Sequence, residues 1–110
     1  MSRHEYISAG LYGLLVGDAL GVPYEFHDAS SIPAAKLIDL TPPPGFRRSH
    51  PGVAPGTWSD DGSQALCLFE SLVEHPELDL ADFAGRLVRW HDHAHLQAGG
   101  RVFDVGIQTY

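Results

Sequence analysis

The chain has 110 residues, 44% of them hydrophobic, and a formal net charge of −7 from 14 acidic against 7 basic residues. That length suits one ordinary domain, and the hydrophobic content excludes a disordered chain. The acidic balance argues against nucleic acid or an anionic membrane as a direct partner, since both require a basic face; it fits a protein whose affinity for a phosphate-bearing ligand is supplied partly by bound cations.

The N-terminal run Met1-Ser2-Arg3-His4-Glu5-Tyr6 lacks the apolar core of a signal peptide, and no window comes near the ~20 apolar residues of a membrane span. From Ile7 to Leu20 the residues Ile7, Leu11, Leu14, Leu15 and Val16 follow helical spacing. Gly13, Gly17 and Gly21 recur every four residues along it, with Ala9 and Gly10 nearby. Each helical glycine costs about 1 kcal/mol relative to alanine, so the stripe predicts close approach by another backbone or a ligand. Asp18 interrupts the apolar character; it is either a solvated acid or a group lining a polar site. Gly21-Val22-Pro23 ends the helix. In Tyr24-Glu25-Phe26 the carboxyl would lie beside apolar surface if both aromatics pack inward, which suits acid–base work; a solvent-facing Glu25 is the other reading.

From Asp28 to Thr57 helical periodicity is lost and Pro33, Pro42, Pro43, Pro44, Pro51 and Pro55 stiffen the chain. So long a connection is usually functional. Ala34 to Leu40 is expected as a short turn or strand, and Arg47-Arg48 as part of a solvated loop, with contact to a phosphate the alternative.

Gly56-Thr57-Trp58-Ser59-Asp60-Asp61-Gly62-Ser63 joins this loop to a second helix. Adjacent carboxylates repel, and burying them is costly unless a proton or cation intervenes. With the Ser59 hydroxyl they form a hard-oxygen set of the kind Mg²⁺, Mn²⁺ or Ca²⁺ prefers. The competing reading is purely local: Ser59 or Asp60 as an N-cap with Asp61 in the first turn, where the macrodipole favours negative charge. Helix two is expected to bury Ala65, Leu66, Phe69, Leu72 and Val73 and to end at His75-Pro76. The lone Cys67 excludes an internal disulfide; it reads as a small buried residue, and a reducing cytoplasm is the expected compartment. Asp79 should cap helix three, with Leu80, Phe83, Leu87, Val88 and Trp90 on its apolar side and Asp82, Arg86 and Arg89 opposite. The short link between the two helices predicts antiparallel packing. His91, His93 and His95 at its end form a possible zinc set, but a helix terminus would splay them, and histidine is favoured there by the dipole. No strand alternation and no repeat appear. The expected class is all-α.

Three stretches together carry a resemblance. Gly10 to Phe26 resembles the opening helix of the ADP-ribosylglycohydrolase family, Thr57 to Gln64 resembles its first metal motif, and Gly100 to Thr109 resembles a third family block. The resemblance implies an all-α fold, here with the long proline-rich loop between helices one and two, and two Mg²⁺ or Mn²⁺ ions at the base of a cleft. The implied activity is hydrolysis of the glycosidic bond between ADP-ribose and a protein side chain or related acceptor. Carried over by position, Ser59, Asp60 and Asp61 would supply half of the metal cage. Glu25 would serve as an acid–base or gating carboxylate at the ribose; Asp104 would lie near the same ribose or a water held by the metals, with Gly100 and Gly106 beside the substrate. Serine replaces the family's usual threonine at Ser59, and Gly62 stands where threonine is common. The family's later glycine-rich block and its Asp-x-Asp-Thr motif do not occur. The chain is therefore expected to be the N-terminal portion of one such domain, binding divalent ions weakly and hydrolysing nothing by itself. The alternatives are a non-catalytic helical remnant or partner-binding module, and a histidine-based metal protein.

Overall fold

The computed structural model describes residues 1–106, which are helical with no strand among them. The all-α expectation holds. The chain divides into two compact units, Met1–Trp58 and a second beginning at Ser59.

In the first unit, α1 spans Arg3–Gly21, beginning at Arg3 rather than at Ile7. The added turn follows from Ser2-x-x-Glu5: the Ser2 hydroxyl accepts the Glu5 backbone N–H at 3.1 Å, the spacing of a capping box. Gly21 leads into a 3₁₀ turn, Val22–Tyr24, with Pro23 near its start. A Cβ added at Gly10, Gly13, Gly17 or Gly21 would meet nothing within 4 Å, so among the described residues no backbone closes on the glycine stripe. By length and composition Arg3–Tyr24, which contains α1, is apolar enough to cross a bilayer, with a mean hydropathy of 1.2 over 18 residues; scattered glycines and Asp18 hide this from a search for unbroken apolar runs. Gly13→Ala and Gly17→Ala are each expected to raise the unfolding free energy by about 1 kcal/mol, read from denaturation midpoints. Destabilisation instead would mean that the stripe is covered in solution.

The segment after α1 holds single 3₁₀ turns at Ala29–Ser31 and Ala35–Leu37, the latter where a turn or strand is expected. Side chains order it. The Tyr24 hydroxyl donates to the Asp39 carbonyl at 3.1 Å, and the Phe46 ring lies 5.1 Å from Tyr24 and 4.7 Å from His27. Arg48 donates to the Pro51 carbonyl at 2.7 Å, while Arg47 is exposed.

In the second unit, α2 spans Asp60–Glu74 and α3 Leu80–His93. Asp79 caps α3 as expected, accepting the Asp82 N–H at 3.0 Å. The two helices run antiparallel: the Ser63 end of α2 meets Gln97, just past α3, while Glu74 meets Arg86 and His75 meets Asp82. The packed face differs from the expected one. Ser63, Cys67 and Ser71, four apart on α2, are buried, as are Arg86 and Trp90, four apart on α3. Two bulky side chains need small ones opposite to reach interior density. The expected apolar residues Phe69, Leu72 and Val73 are exposed, and Leu66, Phe69 and Val73 line an open groove with Leu96.

Arg86, expected on the outer face, is only 5% exposed. It pairs with Asp82 and Glu74, each at 2.7 Å, and with Glu70. The Arg86 guanidinium pushes the Asp82 carboxyl down to about 2. His95, 2.9 Å away, and then Arg86 lower that of Glu70. Burial, then the Glu70 charge, raises the Cys67 thiol above its ordinary 9.0, so it stays protonated and donates weakly to the Arg86 carbonyl.

Candidate active site

The acidic block begins α2. Gly56, at φ +88°, makes the preceding turn without the strain a side chain would bring. Ser59 occupies the N-cap position and is buried, yet its hydroxyl makes no capping bond. Asp60 and Asp61 fill the first helical positions, Asp60 half-buried and Asp61 exposed. Position alone agrees with the cap reading; the missing capping bond from Ser59 does not.

What meets Asp60 is the far end of the unit. The Gly106 backbone N–H donates to Asp60 Oδ2 at 3.1 Å across 46 residues of sequence. Tight reversals after α3 make this return: Ala94, Leu96, Gly99 and Gly100 all have positive φ. The reversals are anchored by Gln97, whose Oε1 accepts from Trp90 Nε1–H at 3.1 Å and from the Ser63 hydroxyl at 2.9 Å. Gly100 is a turn residue, its N–H donating to the Gln97 carbonyl at 3.1 Å. Asp104 is half-buried. The last residues of the third block, 107–109, lie outside the described residues.

Glu25 lies in the first unit. Phe26 is 83% exposed, so the aromatic sandwich expected around Glu25 does not form. Glu25 Oε2 instead faces His50 Nε2 at 3.2 Å. The Glu25 carbonyl accepts from the Ser49 hydroxyl and lies 2.8 Å from His27 Nδ1. Phe26 and His50 both take left-handed backbone, φ +63° and +51°, a strain of about 1–3 kcal/mol each that tends to gather at functional sites.

The histidine triplet does not converge: His91 pairs with Asp92 at 2.9 Å and His95 with Glu70 at 2.9 Å. Sequence reasoning also missed Gln97, Ser63 and His50. Their roles depend on partners 25 to 34 residues away, beyond any local pattern.

The family profile for ADP-ribosylglycohydrolase matches residues 1–110. The chain is 38% identical over 99 residues to ADP-ribosylarginine hydrolase Tri1 of Serratia proteamaculans, covering 90% of this chain and 25% of that protein. It is 37% identical over 99 residues to ADP-ribosylarginine hydrolase Tri1 of Pseudomonas putida, covering 90% and 24%. An uncharacterized protein of Archaeoglobus fulgidus is 37% identical over 82 residues, covering 73% and 25%. The chain thus spans about a quarter of the length of these relatives. With the acidic block, the Glu25 segment and the third block all falling inside the matched residues, the chain belongs to the ADP-ribosylglycohydrolase family.

Proposed function

We propose that this chain contributes the cation-binding and acid–base part of a hydrolase that cleaves the glycosidic bond between ADP-ribose and an arginine side chain or related acceptor. The observation that carries the reading is the 3.1 Å bond from the Gly106 N–H to the Asp60 carboxylate. It ties the acidic block to the glycine-punctuated block, two stretches with no local reason to meet. The names of the Serratia and Pseudomonas relatives point to the arginine linkage.

The donor set suits hard cations. Ser59 offers a neutral oxygen that does not cap the helix, and Asp60 and Asp61 offer carboxylates. These three would hold one side of a site for two Mg²⁺ or Mn²⁺ ions. When bound, the ions would hold ribose hydroxyls, polarise a water and offset charge at an oxocarbenium-like transition state. Gly106 restricts the Asp60 rotamer, so the carboxylate is oriented before any ligand arrives. Hydrolysis forms a bond from water oxygen to the anomeric carbon, breaks the bond to the acceptor and leaves a proton of the water on the acceptor. Glu25 would accept that proton and return it. Asp104, with Gly100 and Gly106, would face the ribose.

In a protein that joins this chain to the rest of such a domain, Asp60→Asn is expected to lower both Mg²⁺ affinity by calorimetry and release of ADP-ribose from an ADP-ribosylated arginine peptide. Outer-shell partners are worth about 10–100-fold, so a direct ligand should cost about 100-fold or more. Unchanged Mg²⁺ binding in Asp60→Asn would overturn the assignment. The 110-residue chain itself is expected to bind Mg²⁺ weakly and release no ADP-ribose. The competing reading, a non-catalytic partner-binding module, draws on the open groove of Leu66, Phe69, Val73 and Leu96; it requires that Asp60→Asn leave partner binding intact and that no activity exist to lose.

A further inference from the structure

We infer that His50 is the positioning residue for Glu25, its ring N–H holding one carboxylate oxygen while Ser49 holds the same residue by its main chain. The inference rests on the reading above, in which Glu25 handles the proton. Glu25 has three side-chain torsions and its side chain is 29% exposed, so a contact is needed to select one rotamer. An acid–base group must sit within hydrogen-bond reach of the atom it serves. The segment 47–50 supplies the selection. The Ser49 N–H donates to the Pro23 carbonyl at 2.8 Å, and its hydroxyl donates to the Glu25 carbonyl. His27 bridges the carbonyls of Glu25 and Arg47, with a ring nitrogen 2.8 Å from each. The Glu25 backbone is therefore held from both sides before its carboxylate meets His50 Nε2 at 3.2 Å.

His50 is itself fixed. Its carbonyl accepts the Val53 N–H at 2.9 Å, closing a turn that Arg48 braces through the Pro51 carbonyl. Its imidazole packs edge-on to Phe26 with centroids 5.7 Å apart, and its side chain is 16% exposed. Phe26 and His50 both take left-handed backbone, which any residue but glycine adopts at a cost. The two strained residues flank Glu25 and touch each other. A loop that merely connected two helices would have no use for that pairing.

The test compares Glu25→Gln, His50→Ala and His50→Gln, each in a protein that joins this chain to the rest of such a domain, in hydrolysis of an ADP-ribosylated arginine peptide with Mg²⁺. Glu25→Gln should lower kcat about 100-fold or more, the scale of a lost proton-transfer group. His50→Ala should lower kcat about 10-fold with KM little changed, as for loss of orientation rather than of substrate binding. His50→Gln, which keeps an N–H near the position of Nε2, should recover most of that loss. The ¹⁵N resonance of His50 Nε2 should move in Glu25→Gln, a readout independent of turnover. An inactive Glu25→Gln beside a fully active His50→Ala overturns the inference alone. A fully active Glu25→Gln overturns the role of Glu25 and the inference with it. If His50→Ala fails to fold, the His50→Gln kinetics and the resonance decide: no rescue in the first, or no shift in the second, overturns the inference.

Discussion

Replacing Trp90 with alanine is expected to destabilise the second unit by about 3–5 kcal/mol, the range for removing a large buried aromatic. Trp90 is 0% exposed and faces the small side chains of α2, which cannot expand to fill the space. A typical domain has about 5–15 kcal/mol in total, so the loss would consume much of the stability. The effect should reach the candidate site. Trp90 Nε1–H helps hold Gln97, and Gln97 anchors the reversals that return Gly106 to Asp60. Trp90→Phe separates packing from hydrogen bonding. It keeps an aromatic ring and loses the donor, while the Ser63 hydroxyl still reaches Gln97 Oε1; the cost should fall to about 1–2 kcal/mol. Urea denaturation measures both variants, and hydrogen exchange at the Gly106 amide reports the return of the chain. An alanine variant losing under about 1 kcal/mol would show that Trp90 is not packed as described.

Arg86→Ala should weaken or reverse the loss of stability in acid. In the native protein Asp82 is pushed down to about 2 from an ordinary 3.8, chiefly by Arg86, and Glu70 lies below its ordinary 4.5, chiefly through His95. Each carboxyl binds a proton more readily unfolded than folded. Their contribution is therefore fully present above about pH 4.5 and is lost as pH falls toward 2. Without Arg86, the carboxylates of Glu70, Glu74 and Asp82 lose their common cation and repel one another. Protonation then relieves the folded state. The variant should be destabilised at pH 7 and lose less, or gain, between pH 5 and pH 3, as tested by urea midpoints at each pH. Parallel native and variant curves would show that Arg86 does not organise these charges. Salt should weaken the native pairs only in part, because the guanidinium is buried while Glu74 is largely exposed.

Local chemistry made much of the chain legible. The glycine–proline end of α1, the Asp79 cap of α3, the stop at His75-Pro76 and the burial of Cys67 all follow from one residue and its immediate neighbours. So does the start of α2 at the acidic pair. The Ser2-x-x-Glu5 cap was equally local, but apolar periodicity, which begins only at Ile7, concealed it. Facing was less legible. Periodicity picks out the most apolar stripe of α2, yet the buried stripe is Ser63, Cys67 and Ser71, because what α3 presents is an indole and a guanidinium. The outward placement expected for Arg86 failed for the same reason: three carboxylates close enough to offset burial of its charge come from two helices and cannot be seen in either one.

The sequence by itself determined the helical class, the helix ends and the oxygen-rich chemistry of Ser59, Asp60 and Asp61, since caps, breakers and donor atoms act within a few residues. Only the tertiary structure decided which carboxylates have partners. The Asp60 bond to Gly106, the Glu25 contact with His50 and the Arg86 pairs with Glu70 and Glu74 each join residues 12 to 46 positions apart. The physical reason is that a contact is selected by the whole arrangement that closes the loop between its two ends, and no property of either residue alone specifies that arrangement.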